Sequence, residues 1–558
     1  MKKNNVLSII LKAIACAVVI FIDFWITLPP INLRSGEFWF FVISCIVICM
    51  VVYAFSSVIS FIKRVKIDEK RGFTVEGKSY DKKDMKKPVK FAALAIALIV
   101  VFMIGVSAVG WEVFNASAYN KLMVLNDGDF KTDVAELSMS QIPVVDRDTA
   151  TRLGKRKLGE MSDLVSQFEI NENYTQINYK GKPARVTPLA YGDPIKWLNN
   201  QSSGIPAYIK VDMTTQETEL VRLKEGIKYS ESEYFMRNIY RYLRFNYPTK
   251  IFDDISFEID ESGVPYWVAS TVKFRIAYWS GRDIGGAVLV NAITGESKYY
   301  DLAEIPTWVD QVYSADMVIE QLSYNGKYRS GFFNSVFGQK GVLQPTEGYN
   351  YLAINDDVWL YTGMTSVTSD ESNVGFVLIN LRTKESKFYA IPGAEEYSAM
   401  ESAEGQVQNL KYVSTFPLLL NVSDRPTYFV SLKDDAGLVK MYAFIDVEQY
   451  QIVGTGNSVD AARKDYVSKL KDENMTAEPE TEKVKKGGLV ESIATAVVNG
   501  NTKYYIKFYD DKQIYTVDIS LSDMLPFTVV GDAADVFLDV SEDGSFTVSG
   551  FRVYHYGE

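Results

Sequence analysis

The sequence has few of the residues that carry out covalent or metal chemistry. Its 558 residues include three cysteines and one histidine. Cys16, Cys45 and Cys49 all precede residue 50, so the chain after them has no disulfide and no thiolate metal site. His555 is the single histidine, which argues against multi-histidine metal sites and against Ser-His-Asp or Cys-His catalysis. The sequence therefore predicts no metal and no cofactor.

Positive charge is scarce in most of the chain. Residues 1–111 carry 15 Lys and Arg against 7 Asp and Glu, whereas residues 112–558 carry 44 against 63. A nucleic-acid-binding protein needs a basic face, and this large acidic portion does not provide one. Nucleic acid is therefore not an expected partner.

Long apolar runs, by contrast, are present near the N-terminus. Three stretches, at about residues 6–28, 38–62 and 91–111, are long enough to cross a bilayer as helices. A cleaved signal peptide is the alternative for the first stretch. That stretch is longer than a signal-peptide core, contains Lys12 and lacks a small-x-small cleavage site. The sequence therefore favours three membrane-spanning helices, with membrane lipid as a partner.

The flanking charges predict an orientation for these helices. Residues 63–90 contain eleven Lys and Arg, whereas residues 29–36 contain only Arg34. The positive-inside rule then places the loop 63–90 and the N-terminus in the cytoplasm. Three crossings put the chain after Trp111 outside. The expected location is the plasma membrane, as a multi-pass protein with an extracytoplasmic C-terminal portion.

The chain after Trp111 is predicted to be α+β, with many β-branched and aromatic strands and a few amphipathic helices. One turn pattern recurs within it. Asp212, Asn291 and Asn380 each follow an apolar strand, with Thr three residues later and Glu five residues later, and Asp446 begins a looser copy. The Asp or Asn side chain can bond to backbone N–H groups, so the pattern predicts hairpin turns rather than ligand sites.

The surroundings of two of these turns also correspond. A helix near residues 231–245 precedes strands that include Pro265-Tyr266-Trp267-Val268, and a helix near residues 395–408 precedes strands that include Pro426-Thr427-Tyr428-Phe429-Val430. A further helix follows each set, near residues 315–322 and 459–470. This order resembles that of PepSY modules, which place a helix on one side of a short antiparallel sheet. The resemblance implies a binding or inhibitory module rather than an enzyme.

Four longer strings carry a second resemblance. They are IPVVDRDTATRLGKRKLGE from Ile142, GIPAYIKVD from Gly204, GFFNSVFGQKGV from Gly331 and LVKMYAFIDVEQYQIV from Leu438. They are similar to strings in uncharacterised membrane-anchored proteins of Gram-positive bacteria. That resemblance implies an envelope location and supplies no residue role.

The end of the chain is expected to be separate. Residues 474–488 are polar and charged, which is typical of a linker, and Asn499-Gly500 and Asp543-Gly544 are hairpin signals. Residues 489–558 are therefore expected to form a small OB-like or SH3-like β-barrel. The predicted divisions are a membrane region 1–111, a first extracytoplasmic α+β region 112–229, a PepSY-like module 230–330, a strand-rich connecting region 331–392, a second PepSY-like module 393–473, the linker 474–488 and the barrel 489–558.

Candidate site residues are aromatic or acidic. Trp267, Tyr278 and Trp279 are candidates for an aromatic binding groove, and Trp359 for a sugar-stacking ring. A glycosidase needs two carboxylates beside such a ring, and Asp356 and Asp357 precede Trp359. The densest acidic cluster comprises Asp253, Asp254, Glu258, Asp260 and Glu261, and it is expected to be a solvated turn.

The sequence thus favours a non-catalytic protein of the bacterial cell envelope that binds a protein, a peptide or a wall polymer. Two alternatives stay open. One is a carboxylate-dependent hydrolase of cell-wall glycans that uses Asp356 or Asp357. The other is a transmembrane sensor that signals through the loop 63–90.

Overall fold

A computed structural model describes most of the chain. The described residues are 2–62, 65–68, 72–75, 82–136, 142–367, 373–473, 484–498, 501–540 and 546–554. They divide into two units, Met1–Asp472 and Glu473–Glu558. Residues 474–483 of the predicted linker lie outside the described residues, as does part of the predicted cytoplasmic loop.

The N-terminal part forms three long apolar helices, as predicted. They are α1 (Lys2–Thr27), α2 (Gly36–Ile62) and α3 (Lys82–Val109). Each contains a window apolar enough to span a membrane, at Ile10–Thr27, Gly36–Phe55 and Val89–Val109. α1 ends before Pro29 and Pro30, which cannot continue a helix.

Residues 63–90 are not a simple loop. β1 (Val65–Asp68) and β2 (Gly72–Val75) form a short antiparallel hairpin, and α3 begins at Lys82. The nine residues before Phe91, which are predicted to belong to the loop, are therefore helical. They are polar, and a hydropathy criterion detects only the apolar part of a helix.

Four helix–sheet repeats follow α3, after the short elements α4 (Glu112–Asn120), β3 (Asn126–Asp127) and α5 (Phe130–Asp133). Repeat 1 contains α6 (Arg147–Gly159), β4 (Phe168–Ile170), β5 (Thr175–Tyr179), β6 (Lys182–Tyr191), α7 (Pro194–Asn200), β7 (Ile205–Asp212) and β8 (Thr218–Ile227). Repeat 2 contains α8 (Ile239–Asn246), β9 (Phe252–Ile259), β10 (Pro265–Ile276), β11 (Ser280–Asn291) and β12 (Ser297–Asp301).

Repeats 3 and 4 likewise begin with a helix, which the strands of one sheet follow. Repeat 3 contains α9 (Ala315–Lys327), β13 (Leu343–Pro345), β14 (Asn350–Ile354), β15 (Asp357–Ser366), β16 (Asn373–Asn380) and β17 (Ser386–Tyr389). Repeat 4 contains α10 (Glu396–Gln406), β18 (Val413–Ser414), β19 (Leu418–Val422), β20 (Arg425–Lys433), β21 (Val439–Asp446), β22 (Val453–Gly456) and the final helix α11 (Val459–Asp472). In each repeat the main strands form an antiparallel meander. The regions 112–229 and 331–392 thus contain sheets of the same kind as the two expected PepSY-like modules.

The recurring sequence pattern forms the last hairpin of each sheet. The Oδ1 atoms of Asp212, Asn291, Asn380 and Asp446 each accept hydrogen bonds from the backbone N–H groups two and three residues later. In the three stricter copies the Thr hydroxyl accepts a bond from the Glu N–H two residues on. The predicted hairpin turns are therefore present, and the Asp/Asn and Thr positions are explained by these bonds.

The four repeats close into a ring. β5 packs on β9, and β14 packs on β19. A single apolar cluster joins the sheets of repeats 2 and 3 around α9. Repeat 4 returns to repeat 1, because the Ser431 hydroxyl donates to Val144 O at 3.2 Å and Lys433 Nζ lies 2.6 Å from Asp146 Oδ2.

Repeat 2 joins the ring to the membrane helices. Arg34, in the turn between α1 and α2, donates from Nε to Tyr278 O at 2.8 Å. In the other direction, Arg244 of α8 donates from Nε to Leu28 O at 2.8 Å. These bonds satisfy carbonyl groups at the ends of helices and strands, so they fix repeat 2 against the turn between α1 and α2.

The second unit is a bent five-stranded sheet. It contains β23 (Val484–Val498), β24 (Asn501–Phe508), β25 (Ile514–Asp518), β26 (Ala533–Val540) and β27 (Phe546–Tyr554), in the order β25-β24-β23-β26-β27. The edge strands β25 and β27 form no ladder within 484–498, 501–540 and 546–554, so the expected barrel is not closed there. The strand β23 begins at Val484 and pairs with β26 up to Leu489, so residues 484–488 belong to the sheet and not to a linker.

Candidate binding cavity

A polar cavity of about 610 Å³ lies where the four repeats meet. Its walls include parts of β5, β9 and β14, together with Thr415 and Phe416 of repeat 4. The charged residues that line it are Asp146, Arg147, Asp148, Arg185, Glu231, Asp254 and Asp316. This volume is in the range of small-molecule and peptide sites.

Two helices begin at the cavity wall. Asp146 caps α6 by accepting a bond from Thr149 N at 2.9 Å, and Ser314 caps α9 by accepting one from Met317 N at 3.4 Å. Both capping residues line the cavity. The positive ends of two helix dipoles therefore lie beside it, and the carboxylates of Asp146, Asp148 and Asp316 at these helix starts already complement them.

Arg185 is the main cation of the cavity wall. It is buried, and its Nε donates to Val145 O at 3.4 Å. Among the described residues, no carboxylate lies within ion-pair distance of its guanidinium group. Burial lowers the pKa of Arg185 to about 10, so the group still carries its charge at neutral pH. The charge of Asp146 compensates that of Arg185 only from beyond ion-pair distance, so an anion in the cavity would stabilise this buried charge further.

Five carboxylates also line the cavity, those of Asp146, Asp148, Glu231, Asp254 and Asp316. Glu231 is held by Asn171 Nδ2 at 2.7 Å and by the Tyr240 hydroxyl. Asp254 accepts a bond from Ile255 N at 2.8 Å. Enclosure by the cavity wall raises the pKa of Asp254, and the charges of neighbouring carboxylates, including Asp316 and Glu231, raise it further. The cavity therefore offers both a fixed cation and a carboxylate whose pKa is raised.

Two buried polar atoms of lining residues have no hydrogen-bond partner within the described part of the chain. They are Gln176 Oε1 and the Tyr174 hydroxyl. Gln176 donates from Nε2 to Tyr351 O at 3.4 Å, which fixes the orientation of its amide. Unpaired polar atoms of this kind are usually satisfied by water or by a ligand.

The structure does not bring the four predicted aromatic residues together. Trp267 lines the cavity, with its indole N–H donating to Tyr229 O at 2.8 Å. Tyr278 and Trp279 lie instead at the membrane helices, with their rings 6.2 and 6.1 Å from that of Phe102. Aromatic rings at this level are typical of a membrane interface.

Trp359 and the two predicted acids lie away from the cavity. Trp359 is buried in β15. Asp356 is exposed in the turn before that strand. Asp357 is buried and bound by Arg382 Nε at 2.6 Å and Asn380 Nδ2 at 2.8 Å. An aspartate held in this way stabilises the sheet, and it lacks the open position that a catalytic carboxylate needs.

The acidic cluster 253–261 is not a single solvated turn. Asp260 does cap a turn, accepting bonds from Ser262 N and Val264 N at 2.9 Å. Glu258, however, is fully buried between repeats 1 and 2. Its Oε2 accepts a bond from Asp310 N at 2.8 Å. The expectation fails for Glu258 because both faces of this end of β9 are covered, so that Phe257, Glu258 and Ile259 are all buried.

Glu258 and Asp310 form a buried acidic pair. Asp310 Oδ2 accepts a bond from Asn178 N at 2.6 Å, while its Oδ1 has no partner among the described residues. Burial raises the pKa of Glu258 to about 7. Burial also raises the pKa of Asp310, and the charge of Glu258 adds to that effect. The folded protein therefore keeps protons on this pair up to a higher pH than the unfolded chain does.

This pair predicts a pH-dependent stability. Because both pKa values are raised by folding, the free energy of unfolding should fall as pH rises from about 4.5 to about 7, by about 1–3 kcal/mol. Asp310→Asn should remove much of that fall, since the amide keeps an acceptor for Asn178 and carries no charge. Urea unfolding of the full chain in nanodiscs between pH 5 and 8 measures how the free energy of unfolding changes with pH.

Asp163→Asn, at an exposed ion pair, is the matched control and should leave this slope unchanged. An unchanged slope in Asp310→Asn would contradict the assignment.

Comparisons with known proteins add little. No family model matches the chain, and no curated protein matches it. A solved structure of a levansucrase mutant from B. megaterium aligns with 80% of this chain and 95% of its own, at 9% identity and a TM-score of 0.15. A match at that TM-score bears on neither fold nor function. The resemblances to PepSY modules and to Gram-positive membrane-anchored proteins therefore stay predictions.

Proposed function

We propose that this protein is a membrane-anchored, extracytoplasmic binding protein of a bacterial cell envelope. Its ligand is a protein, peptide or wall polymer, of which an acidic group enters the central cavity. The observation that carries the proposal is Arg185, a buried cation that lines the cavity without an ion-pair partner in the described residues.

The orientation rests on the flanking charges. Three apolar helices anchor the chain, and the Lys- and Arg-rich residues 63–90 favour the cytoplasm. Repeat 2 contacts the turn between α1 and α2, so the ring belongs on the opposite side. Protease added to intact protoplasts should digest the chain after Trp111. If that region is cut only after permeabilisation, the orientation is wrong.

Arg185→Gln is the direct test of ligand recognition. Loss of a charge-assisted contact in a desolvated site should weaken binding by about tenfold or more. Full-length protein is immobilised in nanodiscs and exposed to solubilised envelope peptides and wall-polymer fragments, and the retained material is quantified by mass spectrometry. Acidic components should be retained by the wild type and lost from Arg185→Gln.

Arg222→Gln is the control for this experiment. Arg222 lies outside the cavity lining, and its Nη1 pairs with Asp163 Oδ2 on the surface at 2.9 Å. This variant should retain the same components as the wild type. Equal retention by all three proteins, or no retention by any, would overturn the role of the cavity.

A glycan hydrolase is the second candidate, carried by different acids from those expected. Asp254, with its raised pKa, lies in a cavity that also has Trp267 in its wall, and a general acid needs a raised pKa. Release of reducing ends from purified wall glycan would support hydrolysis if Asp254→Asn abolished it and Asp356→Asn did not. The binding proposal predicts no release by the wild type.

A further inference from the structure

Two exposed apolar patches lie beside the membrane helices. The Phe235 patch comprises Ile195, Leu198, Tyr234, Phe235 and Met236, and the Phe337 patch comprises Phe114, Phe333, Val336 and Phe337. The exposed fraction is 81% for the residue Phe337, 69% for Phe333 and 63% for Phe235. Clusters of large apolar residues with this exposure mark an interaction surface.

The Phe235 patch is continuous with the end of α1. Arg241 lies over the ring of Trp25, with its guanidinium carbon 4.4 Å from the ring centroid. The same guanidinium donates from Nη1 to Phe235 O at 2.8 Å. Trp25 is two residues from Thr27, where α1 ends. One arginine therefore connects the patch to the last turn of a membrane-spanning helix.

Phe235 also has an unfavourable backbone conformation. Its φ angle is +50°, in the left-handed region that non-glycine residues rarely adopt. Such a backbone conformation is unfavourable and persists where its surroundings impose it. Here the Arg241 bond holds the carbonyl, and Trp197 packs with its ring 5.9 Å from that of Phe235. The chain is thus constrained to present a large apolar ring at the surface.

The Phe337 patch is continuous with the end of α3. Tyr119 donates from its hydroxyl to Gly110 O at 2.9 Å, at the point where α3 ends. The ring of Tyr119 contacts that of Tyr328, and Tyr328 stacks on Phe332 with the centroids 6.2 Å apart. Phe332 precedes the exposed Phe333 directly. A chain of aromatic contacts therefore leads from the membrane helix to this patch.

We propose that both patches insert into the headgroup region of the bilayer that α1–α3 span, so that the ring of repeats rests on the membrane surface at two points. Lipid is the occupant because each patch begins at the end of a spanning helix. Phenylalanine and leucine side chains contribute to interfacial binding in proportion to the apolar area they bury. Arg329 and Lys340 flank the Phe337 patch and form no ion pair among the described residues, which suits anionic headgroups.

The membrane contact would also set the position of the cavity. Glu231 and Tyr240 line the cavity, while Arg241, on the same short segment, contacts Trp25 near the end of α1 and binds the Phe235 carbonyl. That segment includes the first turn of α8. The inserted patch would therefore hold one wall of the cavity close to the lipid surface, where a ligand attached to a lipid or to nearby wall would be within reach.

Fluorescence quenching tests the proposal on the full chain. The three cysteines are replaced by alanine, and single cysteines are introduced by Phe235→Cys, Phe337→Cys and, as a control, Val413→Cys, which is an exposed apolar position in repeat 4. Each is labelled with an environment-sensitive dye in nanodiscs of neutral and anionic phospholipid. Labels at 235 and 337 should be quenched several-fold more by nitroxide-labelled lipid than the label at 413, and less by iodide.

The remaining outcomes each overturn the proposal. Iodide quenching at 235 or 337 equal to that at 413 would show a patch in water. Shielding from iodide without quenching by nitroxide lipid would show that protein, such as a second copy of the chain, covers the patch. Leu198→Cys and Phe333→Cys provide a second pair of positions if either first variant fails to fold. Failure here leaves the Arg185 test unaffected, so the two proposals can fail separately.

Discussion

Replacing Arg425 by alanine should destabilise repeat 4 by about 3–5 kcal/mol, because it leaves a buried carboxylate without its cation. Arg425 holds Asp446 through two bonds, Nε to Oδ2 at 2.7 Å and Nη2 to Oδ1 at 3.1 Å. The Asp446 side chain is fully buried. Its remaining partners are the N–H groups of the β21–β22 turn and the Tyr466 hydroxyl. None of these supplies a compensating charge.

Hydrogen exchange of the full chain in nanodiscs measures this effect locally. Backbone amides of β20, β21 and β22 should exchange more than a hundredfold faster in Arg425→Ala, since each 1.4 kcal/mol changes the opening equilibrium about tenfold. Arg222→Ala is the matched control, because its ion pair with Asp163 is exposed on both sides and contributes about 0–1 kcal/mol. Equal exchange in the two variants would show that the burial of Asp446 is not what makes the pair important.

The local features of the fold could be predicted from the sequence. The turns at Asp212, Asn291 and Asn380 depend on bonds between residues no more than five positions apart, so their pattern is visible in the letters alone. The membrane helices are predictable for a similar reason, since a span needs only about twenty apolar residues. α3 shows the limit, because its polar first turns have no hydropathy signal.

The ring of repeats could not be predicted in the same way. Its closure depends on Ser431 and Lys433 contacting Val144 and Asp146, which are 287 residues away in the chain. Repeat 1 has its Pro-x-aromatic motif, Pro206-Ala207-Tyr208, on β7 rather than on the strand that corresponds to β10 and β20, and repeat 3 has none on its strands, so the motif predicts only two modules. The topology that the four repeats share becomes visible only when the strand pairings are known.

The cavity was missed for a related reason. Arg185 lies in the apolar strand β6, and nothing near it in sequence shows that it lacks an acidic partner. Asp357 is the opposite case, since its position before Trp359 predicts a catalytic acid, whereas the structure pairs it with Arg382. Whether a charge is paired depends on residues far away in the chain. Trp267 lines the cavity as an aromatic candidate, but Tyr278 and Trp279 pack on Phe102 of α3 instead.

Gly454→Ala should be the second strongly destabilising substitution. A Cβ atom at this position of β22 would lie 2.2 Å from Tyr466 N and 2.4 Å from Tyr466 Cα, so it meets backbone atoms of α11. The helix cannot retreat easily, because the Tyr466 hydroxyl bonds to Asp446 at 3.1 Å and Leu470 is buried. Forcing the helix away from the sheet should cost about 3 kcal/mol, at the upper end of overpacking effects.

Gly405→Ala is the control for this substitution, and it should have the opposite sign. Gly405 lies in α10 with no heavy atom within 4 Å of an added Cβ, and alanine is favoured over glycine in a helix by up to about 1 kcal/mol. Thermal unfolding of both variants in nanodiscs, together with hydrogen exchange of α11, separates the two effects. The midpoint should fall in Gly454→Ala and stay level or rise in Gly405→Ala. If both midpoints equalled that of the wild type, the close contact between β22 and α11 would be wrong. The position of Tyr466, whose hydroxyl binds Asp446, would then be wrong as well.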